Sequence, residues 1–351
     1  MIASHSLELA GRASAAPANL RALRLWLFGV AALVFAMVLV GGATRLTESG
    51  LSITQWKPIA GIVPPLSKAD WEAEFALYKR IPQFAEINPD MDLAGFKPLF
   101  YWEWAHRFLA RLVGLAFVAP ALGFYFAGRL RGELGKAVLA ATTFLALEPV
   151  VGWWMVSSGL VERVEVAQER LALHLLIAAA IFAALLWAGV AAGPSARARQ
   201  AGAVWSLALS AMLFAQIGAG ALVAGLRAGR IYNTWPLMDG RWIPNGLFGD
   251  TPFWMSAFDD VTTAQFDHRL LAYGVVALAI GQALATRRRW PETAAARRAL
   301  GIAALALIQA ALGVATLLLG APILPALAHQ ALAMALFGAA VAHASLLYRG
   351  A

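Results

Sequence analysis

Four of the six histidines in this 351-residue chain stand where they can act together. His106 and His174 form one pair, and His268 and His329 form a second at repeat-equivalent positions. Each opens an apolar stretch about as long as a bilayer is thick. An ionisable side chain at such depth is costly and usually faces a cavity or a partner. Two imidazoles at matched depth on alternate helices can ligate opposite faces of one flat macrocycle. Histidine is a common axial ligand of haem iron, and helix bundles build cofactor sites from facing helices. Interhelical hydrogen bonding by separate histidines is the alternative, but four in duplicated register favour two bis-histidine haem sites. One zinc site built from all four fits less well, because the residues fall into two equivalent pairs. His5 lies in the N-terminal tail and His343 near the inner end of the last apolar stretch.

The neighbours of these histidines differ between the pairs. Glu103 precedes His106 by three residues, which puts both on one helix face. Gln265 takes that place before His268. A carboxylate is an acid–base group, as a reacting site needs; an amide is not, and suits an electron-transfer cofactor. The alternative role of Glu103 is a helix pair with Arg107. Arg107 and Arg269 follow their histidines, and a guanidinium binds carboxylates such as haem propionates in bidentate fashion; snorkelling toward headgroups is the competing role. Glu148, beside Pro149, has Gln309 as its counterpart and reads as structural or as part of a proton route. Trp153, Trp154 and Met155 line a ring pocket or belong to an interfacial aromatic belt.

The elements that position these residues follow from composition. The chain is 60% hydrophobic and 14% charged, too apolar for an ordinary soluble domain. Eight apolar runs long enough to span a bilayer occur at about 24–43, 104–127, 137–158, 171–191, 202–224, 267–285, 299–319 and 327–347. The expected fold is an all-α integral membrane protein of eight transmembrane helices. With both termini cytoplasmic, the short loops rich in Lys and Arg face inward, among them Arg129, Arg131, Arg287, Arg288 and Arg289. The longer outer loops carry Asp70, Glu72, Glu74, Glu162, Glu165 and Glu169. All four histidines then lie within about two turns of the outer surface, at ~1.5 Å rise per residue. The net charge of +8 reports this topology and contact with the anionic lipid bilayer. A nucleic-acid partner is not implied, since the basic residues form no continuous stripe. The absence of cysteine excludes disulfides, iron–sulfur ligation and thiol chemistry.

The second half echoes the first. Glu103-Trp104-Ala105-His106-Arg107 aligns with Gln265-Phe266-Asp267-His268-Arg269, and Gly41 through Trp56 parallels Gly220 through Trp235. Glu148 through Gly152 matches Gln309 through Gly313, and Leu173-His174-Leu175 matches Ala328-His329-Gln330. The chain divides into a cytoplasmic tail (1–23), a four-helix half (24–191), a cytoplasmic linker (192–201), a second four-helix half (202–347) and a short cytoplasmic tail (348–351). An even number of helices per half makes the repeat parallel, so the expected architecture is two tandem pseudo-symmetric four-helix bundles. The first outer loop, 44–103, is far longer than its counterpart, and a long loop over a compact bundle is more often functional than idle.

These motifs resemble a known family. Gly41-Gly42-Ala43-Thr44-Arg45-Leu46-Thr47-Glu48-Ser49-Gly50-Leu51-Ser52, followed by Trp56-Lys57-Pro58, is similar to the signature after the first helix of haem A synthases. Glu103-Trp104-Ala105-His106-Arg107 matches their Glu-x-x-His-Arg motif. Gly152-Trp153-Trp154-Met155-Val156, Asn233-Thr234-Trp235-Pro236-Leu237-Met238 and Asp267-His268-Arg269 also fit. The resemblance spans about 24–347. It implies a bacterial inner-membrane oxidoreductase that converts the C8 methyl group of haem O to the formyl group of haem A for cytochrome c oxidase. It implies that His106, His174 and Glu103 serve the substrate haem in the first half. It implies that His268 and His329 hold a haem b cofactor in the second. Partners would be haem O synthase, the cytochrome c oxidase assembly machinery and an electron donor that the sequence does not identify; a homo-oligomer is compatible with it. Two departures stand out. Some members carry a cysteine pair in an outer loop and this chain has none, and Glu148 stands where glutamine is expected. The competing functions are a dihaem b-type electron-transfer protein and a haem transporter or assembly factor. The Glu103/Gln265 asymmetry and the long outer loop favour the enzyme.

Overall fold

The computed structural model describes residues 16–193, 202–249 and 252–348. His5, most of the N-terminal tail and linker, and the last three residues lie outside the described residues. Among those described, every long element is helical: α1 (Ala16–Leu46), α2 (Lys68–Tyr78), α3 (Pro82–Ile87), α4 (Leu93–Phe126), α5 (Gly132–Ser157), α6 (Gln168–Ala191), α7 (Ala203–Gly225), α8 (Ser256–Asp259), α9 (Val261–Arg289), α10 (Ala294–Leu318) and α11 (Ile323–Tyr348). Eight of them, α1, α4, α5, α6, α7, α9, α10 and α11, are long and apolar enough to cross a membrane. They match the eight apolar runs of the sequence one for one. Hydrocarbon offers no partner for a free N–H or C=O, so a chain this apolar must satisfy its backbone within helices.

Helices α1, α6, α7 and α11 form the middle of the bundle and join the two halves. Their small residues allow close approach: a Cβ on Gly189 would meet Phe28, and one on Gly338 would meet Phe182 and Leu186. Gln330, beside His329, donates across the boundary to the Val38 carbonyl, 2.8 Å away. At the loop-rich end a charged cluster spans the halves. Arg45 donates to Glu165 at 2.6 Å and to the terminal carbonyls of α7, Ala224 and Gly225, and Arg227 pairs with both Glu48 and Glu165.

The halves close differently. In the second, α7, α9, α10 and α11 pack in a complete ring; in the first, α4 and α5 barely meet. Prolines mark the open side: Pro98 and Pro120 lie within α4 and Pro149 within α5. A proline removes one helical N–H and frees the carbonyl four residues earlier. At Pro120 that carbonyl belongs to Ala116, and Trp26 Nε1 donates to it at 2.9 Å.

Several helices reach beyond the sequence reading, most of all at the starts of α1 and α4. Helix α1 begins at Ala16, ahead of residue 24. Helix α4 begins at Leu93, about three turns before residue 104, so His106 lies well inside its helix rather than opening it. Asp92 caps the start by accepting from Gly95 N at 2.8 Å. The added turns bury Phe96 and Phe100 against Trp71, Phe75 and Tyr78 of α2. The long first loop is thus a folded cap with its own aromatic core. A Ser67–Asp70 capping box starts α2, and the Ser67 hydroxyl holds the Asp70 carboxyl below its ordinary range.

Candidate functional site

Each of the four paired histidines is reached by a glycine of the preceding membrane helix. A Cβ placed on Gly41 or Gly152 would lie 2.9 Å from Cε1 of His106 or His174, and one on Gly220 or Gly313 would lie 3.1 or 2.7 Å from Cε1 of His268 or His329. Any side chain there would push the imidazole away. The sequence alignment had matched these glycines in register without finding their role; their signal was recurrence at fixed places in the repeat.

In the first half, His106 on α4 faces His174 on α6 with ring centres 6.5 Å apart and planes inclined at 63°. Two imidazoles bound to opposite sides of one metal, with bonds of about 2 Å each, have ring centres about 6 Å apart. The first pair therefore has the spacing of two ligands to one iron. Trp153, next to Gly152, packs 5.3 Å from Trp56 and lies 6.0 Å from the Arg107 guanidinium, so it forms part of the site wall. Trp154 points outward beneath Arg170.

Glu103 is buried and accepts four hydrogen bonds. One carboxylate oxygen takes the Ser52 hydroxyl at 2.8 Å and Ile53 N at 2.7 Å. The other takes Arg107 Nε at 3.0 Å and one terminal nitrogen at 2.5 Å. Arg107 also donates to the carbonyls of Ile53 and Gln55. Together they clamp the strap that leads from α1 into the cap. The second half repeats the clamp with an amide. Gln265 Nε2 donates to the Ala228 carbonyl at 2.7 Å, and its oxygen accepts from Arg269 at 2.9 Å. Arg269 also donates to the Tyr232 carbonyl. Both arginines thus bind loop carbonyls beside their histidines.

The residue one turn before each cradle glycine also differs. Gln216 and Gln309 place Nε2 3.0 and 3.1 Å from Nδ1 of His268 and His329, and each donates to that histidine's own carbonyl. Sequence reasoning missed Gln216. Glu148 Oε1 lies 3.3 Å from His174 Nδ1. The corresponding place before Gly41 holds Met37, and His106 Nδ1 is buried without a hydrogen-bond partner. His343, at the far end of α11, receives Arg298 Nε at 3.3 Å and takes no part in either site.

The pattern fits iron porphyrin: paired imidazoles, glycine cradles that admit nothing bulkier, and tryptophan beside the first pair. Comparison with known proteins agrees. Residues 24–341 match the COX15-CtaA model, described as "Cytochrome oxidase assembly protein". The chain is 53% identical over 331 residues to "Heme A synthase" of Rhodopseudomonas palustris (strain BisA53), covering 92% of this chain and 90% of that one. It is 49% identical over 339 residues to "Heme A synthase" of Beijerinckia indica, covering 94% of both. With "Heme A synthase" of Chelativorans sp. (strain BNC1) the identity is 50% over 328 residues, 92% of this chain and 90% of the relative. At these identities, over nearly its whole length, this multi-pass membrane protein belongs to the COX15-CtaA family of cytochrome oxidase assembly proteins.

Proposed function

We propose that this protein is a haem A synthase: an oxidoreductase that converts the C8 methyl group of haem O to the formyl group of haem A for cytochrome c oxidase. The observation that carries the reading is the duplicated histidine pair, each imidazole seated against its own glycine, with Glu103 and Glu148 in the first half where the second has Gln265 and Gln309; the relatives carry the name "Heme A synthase". A b-type electron relay has no use for that one-sided chemistry.

In this reading the first half binds haem O between His106 and His174, and the second holds haem b through His268 and His329. The split between α4 and α5 supports the assignment, because a substrate bearing an isoprenoid tail must enter and leave from the bilayer. The closed ring and the two glutamines suit a group that stays. Haem b supplies a one-electron redox centre when bound. Arg107 and Arg269 stand one residue after a proposed iron ligand, and their remaining N–H groups would serve to bind haem propionates. Glu103 is the proposed catalytic carboxylate: it lies one turn from His106 and supplies an acceptor for a proton leaving the oxidised carbon. Both sites face the outer side of the inner membrane, with the termini cytoplasmic. Haem O synthase upstream and oxidase assembly downstream are the proposed partners, with an electron donor still to be identified.

The test is expression in a host that makes haem O and lacks haem A, followed by extraction of membrane haems. Haem A in the extract supports the reading. Haem B alone in purified protein, with haem O unconverted, overturns it in favour of a relay.

A further inference from the structure

The four positions one turn before the cradle glycines hold Met37, Glu148, Gln216 and Gln309. A residue four places before a glycine lies on the same helix face, so each stands behind one histidine. An amide can donate or accept; a carboxylate without its proton only accepts. Glu148 Oε1 stands 3.3 Å from His174 Nδ1. The contact is at ion-pair distance but is not a hydrogen bond, and Nδ1 has no hydrogen-bond partner. The second oxygen, Oε2, is also buried without a partner. A buried acceptor left unmatched is costly, and the one donor that the imidazole edge can offer is Nδ1–H.

We propose that Glu148 is a positioning residue of the first site: by accepting from His174 Nδ1–H it fixes the proton there, turns Nε2 toward the iron and makes His174 the stronger donor of the two axial histidines. This rests on the reading of the first half as the substrate-haem site. The physical ground is general: the partner of a ligating histidine's second nitrogen sets its tautomer, its orientation and its basicity. His106, with no such partner, is then the weaker ligand, and the two faces of the substrate are held unequally.

The experiment uses the full chain, purified with haem b in place, and titrates haem O into wild type, Glu148→Gln, Glu148→Leu and His174→Ala. Haem affinity is read from the low-spin absorption change, and the potential of the added haem by redox titration, with haem b as internal standard. Loss of an outer-shell partner of this kind typically weakens binding by about 10–100-fold. The expected result is a weakening of that size in Glu148→Leu, partial rescue in Glu148→Gln, and a higher potential of the added haem in both. The haem b signal stays fixed. If His174→Ala abolishes binding while Glu148→Leu leaves affinity and potential unchanged, the positioning role is overturned and the substrate-site reading stands. If His174→Ala leaves binding unchanged, both fall together. Should Glu148→Leu fail to fold, Glu148→Gln decides alone: an unshifted potential overturns the proposal.

Discussion

In the second half α9 and α10 close the bundle beside His268 and His329; in the first, α4 and α5 barely meet beside His106 and His174. The glycine seats are the same in both, to within a few tenths of an ångström. What changes is the surroundings: amides behind both histidines of the closed half, a carboxylate and a methionine behind those of the open half. The two halves share the way an imidazole is seated and differ in what stands around it. That is the difference expected between a haem that stays and one that must be exchanged.

The largest effect should come from removing a ligand in the closed half. His268→Ala or His329→Ala is expected to abolish the bound haem b and its low-spin spectrum in purified protein. Because bound haem stabilises the folded state by mass action, thermal unfolding should also shift downward. Retention of the spectrum in both variants would place the resident haem elsewhere and break the comparison.

The seats themselves can be tested without touching a ligand. Gly313→Ala puts a Cβ 2.7 Å from His329, whereas Gly220→Ala puts one 3.1 Å from His268. Overpacking of this kind costs about 1–3 kcal/mol, and the closer contact should cost more. The haem-to-protein ratio is expected to fall further in Gly313→Ala than in Gly220→Ala. Equal retention would show that the rings shift freely and that the glycines are not seats.

Much of this was legible in the sequence, for physical reasons. A bilayer demands long apolar helices, so all eight could be counted, and the register of the histidines anticipated the approach of His106 to His174. The start of α4 was not legible, because its first turns, around Phe96 and Phe100, are held by the aromatic core of a cap whose contacts are non-local. The cap left one signal, the Ser67–Asp70 spacing of a capping box. The roles of Arg107 and Arg269 were half legible: their place beside the histidines could be read, but their hold on Ile53, Gln55 and Tyr232 depends on loops folding back. Gln216 gave no signal, since its counterpart is Met37 and an alignment of halves rewards likeness.

Glu103→Gln makes the first clamp resemble the second. The amide keeps one oxygen for Arg107, but its nitrogen then faces Ile53 N–H, donor against donor. An unmatched buried donor costs about 1–3 kcal/mol, so a modest loss of thermal stability is expected. The variant should fold, keep haem b, bind haem O and form little haem A, as measured by extracted haems. Near-normal haem A would return Glu103 to the clamp alone.

The smallest effect sharpens the comparison from the other side. Gln309→Glu places a carboxylate behind His329, as Glu148 stands behind His174, and leaves the closed ring intact. The substituted oxygen would stand about where Gln309 Nε2 now lies, 3.1 Å from Nδ1. There it would accept from Nδ1–H and strengthen His329 as an iron donor. It would also lose the amide's donation to the His329 carbonyl, 3.0 Å away, and set two acceptors against each other, so a small loss of stability accompanies the change. Haem b should be retained at full ratio, because packing by α9 and α10 is unaltered, while its midpoint potential moves downward. Full retention with a shifted potential would mean that the carboxylate tunes a ligand and the ring of helices governs whether a haem stays. Loss of haem b from this variant would reverse that ranking, making the residue behind the histidine, rather than the open seam between α4 and α5, the feature that separates the two halves.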